Sequence, residues 1–289
     1  GLSTANIAGL TTAQVRGLNT MQIGVLTTAQ IKALETADFA VLDTKQLSAL
    51  GSGQMASLTT DQVVALNTAQ VRGLSTAQLA ALTTAQIKAL ETADFAALTS
   101  SQLAGLTTAQ FAALTAGQFA TLGSAAIGTL STAIIKGLST ANIVDLTTAQ
   151  VRGLTTTQIG VLTTAQIKAL DATDFAQLDT RQLSALTSAQ LASLTTDQIE
   201  ALTTTQARSL STAQLVALTS NQIKALETAD FAALTSNQLA SLTTAQFAAL
   251  TSNQLVTLGS AAIGGLSTTT IRGLSTANIA GLTTAQVRG

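Results

Sequence analysis

A leucine recurs at every eighth position from Leu2 to Leu282, without insertion or gap, and divides the chain into octads. We number each octad from 1, the residue after one such leucine, to 8, the next leucine. Position 5 is Ile, Val, Leu, Phe or Met almost throughout, with Ala207 as the weakest case. Positions 5 and 8 share one face of a helix but point to opposite faces of a strand. The pattern therefore predicts one short α-helix in each octad.

Polar residues mark where each helix begins. Position 1 is Ser or Thr in most octads, and position 4 is usually Gln, as in Thr27 to Gln30. Ser and Thr cap helix N-termini, and Gln three residues later completes a capping box. The preceding leucine and the position-5 residue occupy the two places of a hydrophobic staple. These signals recur in phase along the chain, so we expect every octad to start a helix at position 2.

Helices of about six residues cannot stand alone, because isolated helices shorter than ~12 residues are marginal in water. The sequence therefore predicts an all-α repeat solenoid, a superhelix of very short capped helices with one helix per octad. We expect Leu at position 8 to face inward, flanked by positions 4, 5 and 7. Positions 2, 3 and 6 face outward and carry most charges, for example Arg16 and Lys32 at position 6. Position 7 is almost always Gly, Ala, Ser, Thr or Val, which suits close backbone approach.

A longer period overlies the octad. Residues 1–136 match residues 137–272, and residues 1–17 reappear unchanged at 273–289. We predict one continuous solenoid over residues 1–289, with super-repeats 1–136 and 137–272, cut from a longer array. A block of Arg, Lys and Phe recurs at spacings of seven and ten octads, close to two and three turns of a coil with about 3.4 octads per turn. Tandem duplication accounts for the same spacings.

The pattern breaks in two places, at residues 123–135 and at the matching residues 259–271. Both stretches lose Gln at position 4, where Ala126, Ile134, Ala262 and Thr270 stand instead. A flexible joint and a lateral contact are two interpretations. A tolerated variant, with an apolar group near the core, is the interpretation we favour.

Composition narrows the range of functions. Net charge is -1 and only 9% of residues are charged, which argues against binding nucleic acid. A polar residue interrupts every apolar run well short of ~18 residues, so we expect no membrane insertion. The chain has no Cys and no His, which removes thiolate and imidazole chemistry. We expect a protein that is not an enzyme, with no catalytic residue, no metal ligand, no cofactor and no small-molecule substrate.

Four pairs of acidic residues are the strongest candidates for chemistry: Glu35 and Asp38, Glu91 and Asp94, Asp171 and Asp174, Glu227 and Asp230. Ca²⁺ prefers six to eight oxygen ligands, and two carboxylates are too few. Acids in a first helical turn favour the positive end of the helix dipole. We expect these acids to do so and to pair with the lysine three residues before each pair, such as Lys32.

The runs Leu-Thr-Thr-Ala-Gln-Ile-Lys-Ala-Leu at 26–34, 82–90 and 162–170 resemble octapeptide arrays of giant bacterial cell-surface or secreted adhesin-like proteins. This resemblance implies an elongated, non-catalytic segment that is extracellular or at the cell surface. Our first hypothesis is a structural rod, the stalk or fibre of a secreted bacterial surface appendage or extracellular filament. We expect it to self-associate end to end or laterally as a fibre. The alternative is a binding module, an adhesin that engages a glycan or partner protein through its outer face.

Overall fold

The computed structural model of the chain describes residues 2–288, which form short α-helices and no strand. Contacts divide the chain into two units, Gly1–Asp145 and Leu146–Gly289, which we describe separately. The expectation of one continuous solenoid over residues 1–289 stays a prediction. No helix among the described residues has both the length and the apolar character needed to cross a membrane.

The first unit contains helices α1–α18. Their bounds are α1 Thr4–Ala8, α2 Thr12–Arg16, α3 Thr20–Gly24, α4 Thr28–Ala33, α5 Thr36–Phe39, α6 Thr44–Ser48, α7 Ser52–Ser57, α8 Thr60–Val64, α9 Thr68–Gly73, α10 Thr76–Ala81, α11 Thr84–Ala89, α12 Thr92–Ala96, α13 Ser100–Ala104, α14 Thr108–Ala112, α15 Ala116–Ala120, α16 Ser124–Thr129, α17 Thr132–Gly137 and α18 Thr140–Val144.

The second unit contains helices α19–α36. Their bounds are α19 Thr148–Gly153, α20 Thr156–Val161, α21 Thr164–Ala169, α22 Ala172–Phe175, α23 Thr180–Ser184, α24 Ser188–Ala192, α25 Thr196–Glu200, α26 Thr204–Ser209, α27 Thr212–Ala217, α28 Ser220–Ala225, α29 Thr228–Ala232, α30 Ser236–Ser241, α31 Thr244–Ala248, α32 Ser252–Val256, α33 Ser260–Gly264, α34 Thr268–Arg272, α35 Thr276–Ala280 and α36 Thr284–Arg288.

Each helix begins as the capping signals predict. Before α11, Thr83 has extended backbone angles, φ -69° and ψ 161°. Its hydroxyl accepts a hydrogen bond from the backbone N–H of Gln86, and its own N–H donates to Gln86 Oε1. The same reciprocal pair of bonds starts most other helices of both units. The predicted capping boxes are therefore confirmed.

Helices α1–α35 end one to three residues before the invariant leucine. After α11, Leu90 returns to an extended conformation, φ -56° and ψ 132°. Its N–H closes the last turn by donating to the carbonyls of Gln86 and Ile87. None of the described residues has a positive φ. The chain thus leaves each helix without a left-handed residue, and the leucine carbonyl is released from the helix to bond elsewhere.

Within each unit, a helix packs against the helices three before and three after it. In the first unit α7 packs against α4 and α10, and in the second α27 packs against α24 and α30. Positions 5 and 8 form the core, and the phenylalanines at position 5 are at most 1% exposed. Position 7 lies at a close approach: a Cβ placed on Gly105 would lie 2.9 Å from Thr76 Cβ. The all-α solenoid and its inward-facing leucines are confirmed.

Candidate functional site: the interface between coil turns

The side chain of the position-4 glutamine joins one coil turn to the preceding one. Gln86 is only 2% exposed, and its Oε1 is held by the N–H of Thr83. This orients Nε2 toward an earlier helix, where it donates to the carbonyl oxygens of Met55 at 3.1 Å and Leu58 at 2.7 Å. Met55 lies in α7 and Leu58 follows it, four octads earlier. One amide therefore caps the start of its own helix and the end of another.

These bonds recur with nearly constant geometry, and we call them the glutamine ladder. The position-8 carbonyl 28 residues earlier accepts at distances from 2.6 Å, at Gln30, to 3.4 Å, at Gln214. Most members also reach a carbonyl 30 or 31 residues earlier. The members in the first unit are Gln30, Gln46, Gln54, Gln62, Gln70, Gln78, Gln86, Gln102, Gln110 and Gln118. The members in the second unit include Gln182, Gln190, Gln198, Gln206, Gln214, Gln222, Gln238, Gln246, Gln254 and Gln286.

The ladder fixes the dimensions of the coil. Helix packing joins octads three apart, and the ladder joins residues 28 apart, which is three and a half octads. The coil turn therefore lies between three and four octads, which brackets the value of about 3.4 expected from the sequence. Short helices leave their last carbonyls without partners inside the helix. Here another turn supplies those partners, so each helix depends on its neighbours along the coil.

Four octads replace the glutamine with a buried aspartate and reverse the direction of the bond. Asp38, Asp94, Asp174 and Asp230 are between 3% and 9% exposed. An ionised carboxylate only accepts hydrogen bonds, so it cannot donate to a backbone carbonyl. In each case Oδ1 accepts from the hydroxyl of a position-2 threonine 26 residues earlier, as from Thr68 to Asp94 at 2.5 Å. The other donors are Thr12, Thr148 and Thr204.

The expected pairing of these acids with lysines three residues before each pair is wrong. Among residues 2–288 no ion pair joins Lys32 to Glu35 or Asp38. Likewise, none in this part of the chain joins Lys88, Lys168 or Lys224 to the acidic pair that follows it. The buried aspartate takes a threonine hydroxyl instead, whereas the lysines lie on the exposed outer face. Arg181 and Asp179 approach to 3.8 Å, with both side chains more than half exposed. Such an exposed pair adds little stability.

The acidic pairs do not assemble into a larger cluster. Within residues 2–288 no group of three or more acidic side chains comes together in a way that suits a metal ion. No buried side-chain nitrogen or oxygen in the described part of the chain lacks a hydrogen-bond partner. The buried polar side chains of the described residues thus all take part in hydrogen bonds within the fold.

Sequence reasoning missed the ladder, although position 4 carried a signal for it. A capping box accepts Glu as readily as Gln. Yet no octad of this chain has Glu at position 4, and most have Gln. The cap needs only the side-chain oxygen, so the consistent choice of an amide indicates that its N–H groups have a second partner. The distance along the chain to that partner depends on how many octads complete one coil turn, which the sequence of a single octad does not reveal.

The sequence model of a family described as the ALTTAQ repeat matches residues 1–34, 31–68, 63–92, 87–124, 143–172, 167–204, 175–212, 199–226, 223–260 and 258–289. These matches tile most of the chain and leave residues 125–142 unmatched. No curated protein matches it.

Proposed function

The chain belongs to the ALTTAQ repeat family, and on this premise we propose that it is a structural, non-catalytic rod. In this proposal it forms the stalk or fibre of a secreted bacterial surface appendage or an extracellular filament. It is located outside the cell or at its surface. The resemblance to octapeptide arrays of surface and secreted proteins supports the location, and the glutamine ladder supports the mechanical role.

The ladder is the observation that carries the proposal. Each member of the glutamine ladder meets an earlier turn through the same kind of amide bond and the same leucine packing. In solenoids, stability is approximately a sum of such nearest-neighbour terms. Octads can therefore be added without a new kind of contact, and length can grow while each turn stays equally well held. That is the property a stalk or fibre requires.

A deletion tests the proposal directly. Removing residues 137–272 joins Lys136 to Gly273 and preserves the octad phase, because the deleted stretch is 17 whole octads. We expect small-angle scattering and electron microscopy to show rods of constant width whose length falls roughly in proportion to the residues removed. Compact particles, or a width that changes with the deletion, would overturn the proposal.

We propose end-to-end self-association as the way in which such rods join. In the first turn Gln14 and Gln22 are exposed and have no inter-turn bond within residues 2–288, and an open cavity of about 390 Å³ lies beside Gln22. In the last turn Ile279 and Val287 are 47% and 71% exposed. Inside each unit the same positions are covered by another turn. The last turn of a second copy carries carbonyls that could accept from the exposed glutamines, and its first turn carries leucines that could cover the exposed apolar side chains.

Sedimentation over a concentration series separates end-to-end from lateral association. Ile279→Asp with Val287→Asp should abolish the assembly of residues 1–289 if the ends join, since the charges would face the other copy. Val144→Asp is the matched control, because Val144 is 63% exposed at the outward position 6. Loss of assembly in the control alone would indicate lateral contact, and a monomer at every concentration would refute self-association.

An open groove of about 300 Å³ in the second unit favours the binding module as a second candidate function. Arg152, Thr156, Asp179 and Arg181 line it. The Arg152 guanidinium also donates to Gln177 Oε1. Two guanidinium groups beside a hydroxyl suit an acidic glycan. A glycan array should then show binding to acidic and not to neutral sugars, and Arg152→Gln should abolish it; no binding to acidic sugars would exclude this candidate.

A further inference from the structure

Three successive octads at the end of the first unit lack the glutamine ladder. Position 4 is Ala126 in the octad of α16, Ile134 in that of α17 and Asn142 in that of α18. Alanine and isoleucine side chains carry no donor. Asn142 is 6% exposed, and its Oδ1 accepts from the N–H and the hydroxyl of Ser139, but it donates to no earlier turn within the first unit. These octads together fill most of one coil turn.

The acceptors in the preceding turn are left without ladder donors. By the spacing of the regular octads, the glutamines would have bonded to the carbonyls of Phe95 and Leu98, then of Leu103 and Leu106. Within residues 2–145 no side chain donates to these four carbonyls. Leu98 and Leu106 remain buried, at 7% and 3% exposed. The two turns are therefore joined by apolar packing, as of α14 against α17, without the directional amide bonds.

The repeat pattern of the family lapses at the same place. The family matches stop at residue 124 and resume at residue 143. The corresponding stretch of the second unit keeps one inter-turn bond from position 4. Ala262 and Thr270 replace two glutamines, but Asn278 Nδ2 donates to the carbonyl of Leu250 at 2.9 Å. The matches continue through it, over residues 258–289. The inter-turn amide bonds and the repeat pattern of the family thus lapse together in the turn formed by residues 123–145.

We propose that residues 123–145 form a seam, at which the coil of the first unit separates first. Each helix in it has five or six residues and cannot persist without the adjoining turn. Separation therefore melts α16, α17 and α18 together and leaves the turns bearing the ladder intact. Local openings of this kind take place in cooperative units whose stability follows their contacts. The seam can unfold locally while the remainder of the first unit keeps its structure. This inference holds whether or not the chain is a stalk.

Hydrogen exchange of the full chain, followed by mass spectrometry, tests the seam. Backbone N–H groups of residues 123–138 should exchange at least about tenfold faster than those of residues 67–90, which cover α9, α10 and α11. The variant Ala126→Gln, Ile134→Gln and Asn142→Gln restores the three donors. It should slow exchange in the seam by a similar factor and leave residues 67–90 unchanged.

A second variant, the transplant, places the three seam residues in a regular turn and tests the proposal even if the first variant fails to fold. Gln70→Ala, Gln78→Ile and Gln86→Asn copy the three seam residues into a regular turn, and should create a second fast-exchanging stretch at residues 67–90. Two results would overturn the proposal. One is equal exchange of residues 123–138 and 67–90 in the unaltered chain. The other is a transplant that leaves the exchange of residues 67–90 unchanged.

Discussion

The octads 83–90 and 91–98 are neighbours in the chain with the same buried core, but they meet the rest of the coil with opposite hydrogen-bond polarity. Gln86 donates two bonds to backbone carbonyls of an earlier turn. Asp94 accepts one bond from the hydroxyl of Thr68. Thr83 caps its helix through a side-chain bond, whereas Glu91 makes none. A single buried position can thus connect turns either as donor or as acceptor, provided that the opposite turn offers the complement.

The difference shows that the local and the long-range roles of position 4 are separable. Both helices form, so the cap can vary without loss of the helix. The leucine at position 8 does not vary, and Leu90 and Leu98 are 3% and 7% exposed. Packing is therefore the common requirement of the two octads, and the polar bond is the part that differs. Four changes, in order of decreasing effect, test this division.

The largest effect is expected where the two octads agree. Leu90→Asp and Leu98→Asp each place a charge in the core, and each should cost more than about 3 kcal/mol of unfolding free energy. Lys88→Ala, on the exposed face beside Leu90, should stay within about 0.5 kcal/mol. Urea unfolding followed by circular dichroism measures all three. A cost at Leu98 far below that at Leu90 would show that the octads do not share one core.

Removing the ladder amide should have the next largest effect. Gln86→Leu leaves the N–H of Thr83 and the carbonyl of Leu58 without their partner, and the carbonyl of Met55 keeps only the backbone N–H of Leu58. We therefore expect a loss of about 3 kcal/mol. Gln14→Leu is the control, because Gln14 is exposed and makes only the capping bonds. It should lose about 1 kcal/mol. Equal losses would mean that the inter-turn bonds contribute nothing to stability.

Removing the donor to the aspartate should have a smaller effect. Thr68→Val keeps the shape of the side chain but leaves the buried Asp94 carboxylate without its hydroxyl, at a cost of about 2 kcal/mol. Thr60→Val is the matched control, because the residue 26 positions after Thr60 is Gln86, which bonds to carbonyls instead. We expect less than about 0.5 kcal/mol there. An unchanged unfolding free energy in Thr68→Val would show that the bond to Asp94 does not contribute to stability.

The smallest effect should come from repairing a cap. Asp171 occupies the place of Glu91 in another acidic octad, and it accepts from the N–H of Asp174 at 2.7 Å. Glu91→Asp should therefore supply the missing bond and raise the unfolding free energy by about 0.5 kcal/mol. Glu91→Gln removes the charge without shortening the side chain, so it should give no gain. A larger gain from Gln than from Asp would assign the effect to charge.

The sequence was sufficient to predict the helices, their start sites and the inward face. Those features depend on residues at most a few positions apart, such as Thr83 with Gln86 and Ile87 with Leu90. It was not sufficient for the partners of Gln86 or Asp94, because these lie 26 to 31 residues away. That offset is set by how many octads complete one turn, which depends on the angle between successive helices. The lysine pairing failed for the same reason, since Thr12 is near Asp38 in space and not in sequence.

The side-chain contacts between turns also determine which substitutions affect one another. Interaction energies between mutations appear for residues that share a contact and vanish for distant ones. Thr68 and Asp94 share a side-chain bond across 26 residues, so a double-mutant cycle on this pair should be strongly non-additive. Position-6 side chains of adjoining octads, such as Lys88 and Ala96, share no bond and should be additive. Compensating changes in an array of this kind would therefore arise about three octads apart, and neighbouring octads would be free to diverge independently.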